Sequence, residues 1–428
     1  MDFPVDLSAI GPRAQSAIGL VGFTIIAWLF STNKLRFPLL TVIWTIAAQI
    51  GIAALLIYVP LARDALGSLQ VVVEALQQAT AAGTSFVFGY LGGAAAPFDV
   101  TNQPAMFSFA FGALPLVIFF SGLSAMLWHW GILKVLVRSL AFLLEKGLRV
   151  GGAVSLASAA NTFLGQTEAP LLIRPFLSKL TRSELFVVIT VGFATVAGSV
   201  MAVYAGFLLR IEREILGHII IASIISVPAA ILMAQVMMPE DKGVTPTPAN
   251  AAEGFKYASS MDAFMRGVTD GLGLYLNIIA SLIAFTALAA LVNILLAAAP
   301  DFMGAPLTLE RMLGWIFAPF MWLAGVPWSD AQAAGELMGI KTAVNELVAY
   351  IKLSEVPVGE FDQRTVLIIV YSLCGFANFS SLGIVVGGFT ALAPDRRQDV
   401  IELAPRALIS GTLATLMTGA VIGLIWNG

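Results

Sequence analysis

Residues 150–180 read VGGAVSLASAANTFLGQTEAPLLIRPFLSKL, and what this stretch can do in a bilayer decides the fold. Its residues are as small and apolar as those of a packed membrane helix, yet Gln166-Thr167-Glu168 sits at its centre, with Pro170 and Pro175 beyond. A charged side chain at the bilayer centre costs about 2.5–3.5 kcal/mol even on the lenient insertion scale, and proline removes a backbone donor and breaks a helix. Irregular backbone at membrane depth is tolerated only where it is buried in protein or lines a wet cavity. The stretch therefore predicts a re-entrant helical hairpin in an all-α polytopic membrane protein.

The rest of the chain agrees. Of 428 residues 58% are hydrophobic and only 11% charged, against about 25% charged in soluble domains. Apolar runs of membrane-spanning length predict about eight transmembrane helices, at roughly 15–31, 38–60, 105–133, 183–209, 216–238, 268–298, 364–392 and 403–426. The amphipathic stretch 62–82, with Arg63, Asp64, Glu74, Gln77 and Gln78, reads as a helix along the interface, and 240–259 as a solvated linker. The single cysteine, Cys374, excludes an internal disulfide framework and any CxxC metal site. The net charge of −3 selects no charged partner; the expected surroundings are the lipid bilayer, and no nucleic acid is expected. The start has no basic region ahead of its apolar run, so no cleaved signal peptide is expected.

A second broken stretch lies at 309–352, with Pro319, then Gly325-Val326-Pro327-Trp328, then Asn345-Glu346. It too reads as a re-entrant hairpin, giving two in all. Basic residues after the first span (Lys34, Arg36), after the third (Lys134, Arg138, Lys146, Arg149) and before the last (Arg396, Arg397) place those loops inside and the N-terminus outside. Arg210 and Arg213 break the rule. The first hairpin then enters from inside and the second from outside. Downstream of each acid stands a matching string, Gly192-Phe193-Ala194-Thr195 and Gly375-Phe376-Ala377-Asn378. The shared order suggests an inverted repeat, an architecture of transporters with a midplane site.

Glu168 and Glu346 are the leading functional candidates. Each faces a cavity, a ligand or a nearby base, the available bases being Arg174 for Glu168 and Lys341 for Glu346. Asn378 and Ser381, three apart on one helical face, either bond a neighbouring helix or present donors and acceptors to a hydroxylated ligand such as a sugar, with Phe376 as an aromatic wall. Asn161, Leu164, Thr195 and Val196 offer neutral and carbonyl oxygens of the kind a small hard cation takes; on the residues alone, ordinary packing is the better reading. His129 and His218 read as interfacial anchors, and Asp270 and Asn277 either line a pore or make a helix contact. No HExxH string is present, and neither histidine is placed to activate a nucleophile, so an intramembrane enzyme is a remote alternative.

Gly165-Gln166-Thr167-Glu168-Ala169-Pro170, Gly325-Val326-Pro327-Trp328, Asn345-Glu346-Leu347-Val348-Ala349-Tyr350 and Cys374-Gly375-Phe376-Ala377-Asn378-Phe379-Ser380-Ser381 together resemble the concentrative nucleoside transporters, in order and in spacing. The resemblance implies a homotrimer of the bacterial inner membrane, with a fixed scaffold, a mobile transport domain and two broken helices. On that pattern residues 1–135 and 260–300 belong to the scaffold, and 136–239 and 305–428 form the two transport repeats. Gln166, Thr167 and Glu168 would address the base of a nucleoside (uridine, cytidine or adenosine), with Val200 and Phe376 close by. Glu346, Asn378 and Ser381 would address the ribose. A Na+ ion would be held by Asn161, the Leu164 carbonyl, Thr195 and the Val196 carbonyl. Leu347 and Phe379 depart from the common pattern, which has Phe and Leu at those places. The expected function is sodium-coupled nucleoside uptake by alternating access, in which an unpaired Glu346 would resist moving when empty. A proton-coupled carrier is the alternative.

Overall fold

A computed structural model of the protein describes residues 11–427 apart from 103, 149, 210, 213, 242, 244, 246–254, 303 and 358. Arg149, Arg210, Arg213 and most of the linker thus lie outside the described residues. The described chain is helical, and its one β feature is an isolated bridge between Phe302 and Ala305.

The N-terminal part holds α1 (Pro12–Leu29), α2 (Leu39–Tyr58), α3 (Pro60–Phe88) and α4 (Leu116–His129). Helix α3 covers the expected amphipathic stretch and runs on to Phe88. Two successions of the same kind follow. The first is α5 (Ile132–Leu148), the hairpin arms α6 (Gly152–Asn161) and α7 (Arg174–Leu177), the interrupted pair α8 (Arg182–Ala194) and α9 (Gly198–Leu208), and α10 (Ile215–Met237). After the long α11 (Ser260–Leu296) come α12 (Leu309–Ala324), the hairpin arms α13 (Trp328–Ala343) and α14 (Glu346–Glu355), the interrupted pair α15 (Gln363–Leu373) and α16 (Phe379–Leu392), and α17 (Arg397–Ile425). Helix, hairpin, broken helix and long helix recur in one order.

Among the described residues six helical stretches, Leu39–Tyr58, Phe109–His129, Arg182–Leu208, Ile215–Met237, Ser260–Leu296 and Pro394–Ile425, are long and apolar enough to cross a bilayer. Three expectations need correction. The stretch 364–392 is not a continuous span, because Cys374–Asn378 leaves the helix between α15 and α16. The basic residues after the third span lie on a helix rather than a loop: α5 buries Leu133, Val137, Ala141, Leu144 and Leu148 at three- and four-residue spacing, leaving Arg138 and Lys146 exposed. The second broken stretch contains three helices, not two. Gly325, at φ +119°, makes the turn between α12 and α13, which cross at 119°; the hairpin proper turns at Val344-Asn345.

Capping explains why the short helices start where they do. Thr181 and Glu184 form a reciprocal capping box on α8, and the side chains of Asn345, Asp362 and Asn378 accept from backbone N–H groups of α14, α15 and α16. Each satisfies a donor that a helix start otherwise leaves unpaired. Helices α8, α10, α15 and α17 are buried on nearly all sides and form the core, while α4 packs along α11 at the periphery. Helices α1 and α2 pack on α10 and α17. Gln15 donates to the Trp322 and Val326 carbonyls at 2.6 and 2.8 Å. Arg364 donates to the carbonyls of Pro12, Gly325 and Gly423 and to the Ser16 hydroxyl at 2.7–3.0 Å.

Candidate functional site

Each helix break frees backbone groups that must find partners, and here the breaks and hairpins supply one another. Gly198 N, at the α8–α9 break, donates to Phe163 O in the first hairpin at 3.1 Å, and Phe376 N, at the α15–α16 break, donates to Thr195 O at 3.3 Å. A Cβ on Gly375 would stand 2.9 Å from both the Ala194 and Phe193 carbonyl oxygens, so only glycine lets the two breaks cross this closely. Lys341, wholly buried on α13, donates to Ser372 O at 2.9 Å and to the Thr415 hydroxyl at 3.0 Å. Its ammonium thus meets a carbonyl at the C-terminal, partially negative end of α15.

Lys341 is therefore not the partner of Glu346. No ion pair joins them among the described residues, and none joins Glu168 to Arg174. The Glu346 carboxylate, 4% exposed, instead accepts from Tyr204 Oη at 2.5 Å and Asn378 Nδ2 at 2.8 Å. Protein side chains partner it, contrary to the expectation of an unpaired acid. Asn378 is doubly used: its Oδ1 accepts from Ser381 N at 2.7 Å, which fixes which end of the amide faces Glu346. Glu168 has a long contact with Gly165 N at 3.4 Å.

These groups surround a cavity of about 450 Å³, within the usual 300–1,000 Å³ of small-molecule sites. Of the expected site residues, Leu164, Gln166, Thr167, Glu168, Val200, Glu346, Phe376, Asn378 and Ser381 all line it. Gln166 Oε1 is buried and without a partner among the described residues, an acceptor left over. Among the described residues the lining holds three carboxylates, from Glu168, Asp270 and Glu346, and no Lys, Arg or His. A neutral ligand rich in N–H and O–H donors suits such a wall; a phosphate does not.

Asn161, Thr195 and Val196 stand just behind the cavity rather than on its surface. Asn161, at the end of α6, donates through Nδ2 to Val191 O at 3.1 Å and to Thr195 Oγ1 at 2.6 Å. Thr195 Oγ1 donates in turn to Val191 O at 3.0 Å. That leaves Asn161 Oδ1 buried with no partner among the described residues. A buried orphan acceptor is costly, and an amide oxygen beside a hydroxyl is a fitting donor set for a small hard cation.

Other polar residues resolve as follows. Asp270 and Asn277 both line the cavity, from α11. His218 is no interfacial anchor: it is buried, with Nδ1 3.1 Å from Tyr371 Oη and its ring against Trp426. Cys374 is a small buried residue, as read. Tyr204 was not singled out in the sequence, where a tyrosine in an apolar run reads as packing; its spacing of four from Val200 is the signal that could have found it.

Comparison with known proteins places this geometry. A family model described as the C-terminus of Na+ dependent nucleoside transporters matches residues 218–423, its N-terminal counterpart matches 18–91, and one described as nucleoside recognition matches 110–210. The nucleoside permease NupC of Helicobacter pylori is 35% identical over 415 residues, which is 96% of this chain and 97% of that protein. The structure of CNTnw in an inward-facing substrate-bound state superposes with a TM-score of 0.88 at 36% identity, covering 97% of this chain and 98% of that one. A doubly substituted CNTnw in an outward-facing state gives 0.87 at 35%, covering 96% and 97%. These relatives are transporters, not enzymes. The chain is an integral membrane protein and belongs to the concentrative nucleoside transporter family.

Proposed function

We propose that this nucleoside transporter is a sodium-coupled symporter that carries uridine, cytidine or adenosine into the cell by alternating access, as a homotrimer in a bacterial inner membrane. The observation that carries the coupling ion is the buried, unpartnered Asn161 Oδ1 beside the Thr195 hydroxyl. Na+ would be held there by Asn161, Thr195 and the carbonyls of Leu164 and Val196. Leu164 also lines the cavity and is followed within four residues by Gln166, Thr167 and Glu168. An ion that orders Asn161–Leu164 would pre-position those three for the base. The nucleoside then binds with part of the ordering cost already met, and the coupling is reciprocal.

Glu346, Asn378 and Ser381 take the ribose, with Val200 and Phe376 as walls. Because Tyr204 and Asn378 both donate to Glu346, a ribose hydroxyl would add to that set rather than meet a bare charge. The two repeats, 136–239 and 305–428, form the moving part against α4 and α11. The packing of α1 and α2 on α10 and α17 supports letting these helices travel with the repeats rather than with the rest of 1–135. The apolar stretch of α11, unburied in a single chain, supports its contact with neighbouring subunits or lipid.

Uptake of uridine and adenosine into proteoliposomes, under an inward Na+ gradient, an inward proton gradient or neither, tests the proposal. Sodium-dependent uptake is the expected result. Uptake that follows only the proton gradient refutes the sodium site while keeping the nucleoside site.

A further inference from the structure

Beside the central cavity lies a second one of about 510 Å³. Phe255, Tyr257, Thr269 and Asp270 line both, so they form the partition between the two spaces. The partition is aromatic and braced. The Phe255 and Tyr257 rings stack at 12° with centroids 6.1 Å apart, and they rest edge-on against Trp128 and His129 of α4 at 5.8 and 6.3 Å.

Asp270 lies ten residues into α11, about 15 Å along its axis. It has no hydrogen bond or ion pair with another described residue, and Arg266, one turn earlier, is engaged by Asp262 at 2.9 Å. A carboxylate near the start of an apolar membrane helix, without a hydrogen-bond partner among the described residues and facing a cavity that Lys256 and Arg266 also line, is a candidate ligand acceptor. Tyr257 lies in the field of this carboxylate and of Glu168; burial first, and these two charges next, push its phenol up to about 12. It remains a protonated donor throughout the physiological range.

We propose that Phe255, Tyr257 and Asp270 form a second, weaker nucleoside subsite on the path between the central cavity and the outer one. The base stacks on the aromatic pair, and the Asp270 carboxylate accepts from the ribose hydroxyls or from base N–H groups. One stack and one charged hydrogen bond put its Kd on the order of a millimolar, well above that of a fully enclosed site. Its use is kinetic. A nucleoside leaving the centre surrenders its bonds to both hairpins together, and a halfway station lowers that barrier. The subsite rests on nucleoside being the cargo and is independent of the coupling ion.

Thr269→Cys supplies the reporter. Thr269 Oγ1 donates to Met265 O of its own helix, and the native Cys374 is fully buried, so a small methanethiosulfonate reagent should react at the introduced thiol. The labelling rate is followed with adenosine up to about 20 mM, well past the Kd expected of the weak step. Labelling of Thr269→Cys should be protected in two steps, one tight and one millimolar. Adding Glu346→Gln should shift the tight step about 10- to 150-fold and leave the weak one where it was; Ser381→Ala serves instead where the first variant does not elute monodisperse. Adding Asp270→Asn should shift the weak step at least about fivefold, on the scale of one charged hydrogen bond. Free ribose, with no base to stack, should not protect. A weak step that moves together with the tight one in Glu346→Gln overturns the subsite, as does the absence of a weak step in Thr269→Cys that keeps its tight one. Failure of the unsubstituted protein to take up any nucleoside sinks the cargo assignment instead.

Discussion

Glu346→Gln separates ligand recognition from fold more cleanly than any other substitution in the cavity. The carboxylate accepts from Tyr204 and Asn378. Asn378 cannot turn its amide over without giving up its cap on α16, but the Tyr204 hydroxyl can accept as readily as donate. A glutamine can therefore take the Asn378 bond on its oxygen and give its amide N–H to Tyr204. The interior stays satisfied, and a buried charge disappears, so thermal stability should be unchanged or higher. What is lost is a charged acceptor for the ribose. A hydrogen bond to a charged group is worth about 1.5–3 kcal/mol, which corresponds to a Kd for uridine raised about 10- to 150-fold. Equilibrium binding of labelled uridine to purified protein in sodium buffer, with a melting curve on the same sample, measures both. A Kd within about threefold of the parent, in a protein that melts normally, would refute the ribose role of Glu346. Tyr204→Phe is the mirror experiment: it leaves the carboxylate free for ligand and removes an internal donor. Stability should fall by about 1.5–3 kcal/mol while affinity stays level or improves.

Three further outcomes are expected. Asn161→Leu or Thr195→Val should abolish the dependence of uridine binding on Na+, leaving a weak sodium-independent affinity; a retained sodium dependence in both removes them from the ion site. Gly375→Ala should cost about 1–3 kcal/mol, because its Cβ has no room between the Phe193 and Ala194 carbonyls and the Thr415 methyl, and a parent-like melting temperature would show that the breaks can move apart. Lys341→Met should lower stability by about 1.5–3 kcal/mol by orphaning Ser372 O, with nucleoside affinity moving less than that of Glu346→Gln; the reverse ranking would mean that Lys341 acts on the ligand.

The polar centre of the fold was legible because polar residues are conspicuous in an apolar chain. Glu168, Glu346 and Asn378 stand out against Ile, Val, Leu and Gly, and the structure gathers all three around one cavity. Elements whose signal is apolar were harder to place. Helix α5 was missed because Ile132, Leu133 and Val135 continue the apolar run of α4 without a gap, and only the later spacing marks a new helix. In the second broken stretch, Gly325-Pro327 and Val344-Asn345 are both plausible turns, and periodicity cannot say which is the tip of the hairpin. The partner of Lys341 was hidden for a different reason. It is a backbone carbonyl 31 residues away, exposed only because α15 ends early, and no side-chain pattern announces it. His218 was misplaced because its position at the start of an apolar run says nothing of what packs outside that run.

The clamp around Arg364 has a consequence for how the protein is made. Gln15 and Ser16 on α1 find their partners on α12, its following turn and Arg364, and the Pro12 carbonyl waits for a guanidinium 352 residues later in the chain. At about 5–20 residues per second of synthesis, α1 spends roughly 20 to 70 s in the bilayer with a glutamine and a serine unsatisfied by their final partners. Helix α1 is thus locked long after it is made, and ribosome-arrested chains ending before Arg364 should leave it open to a chaperone of the insertion machinery or to a membrane protease.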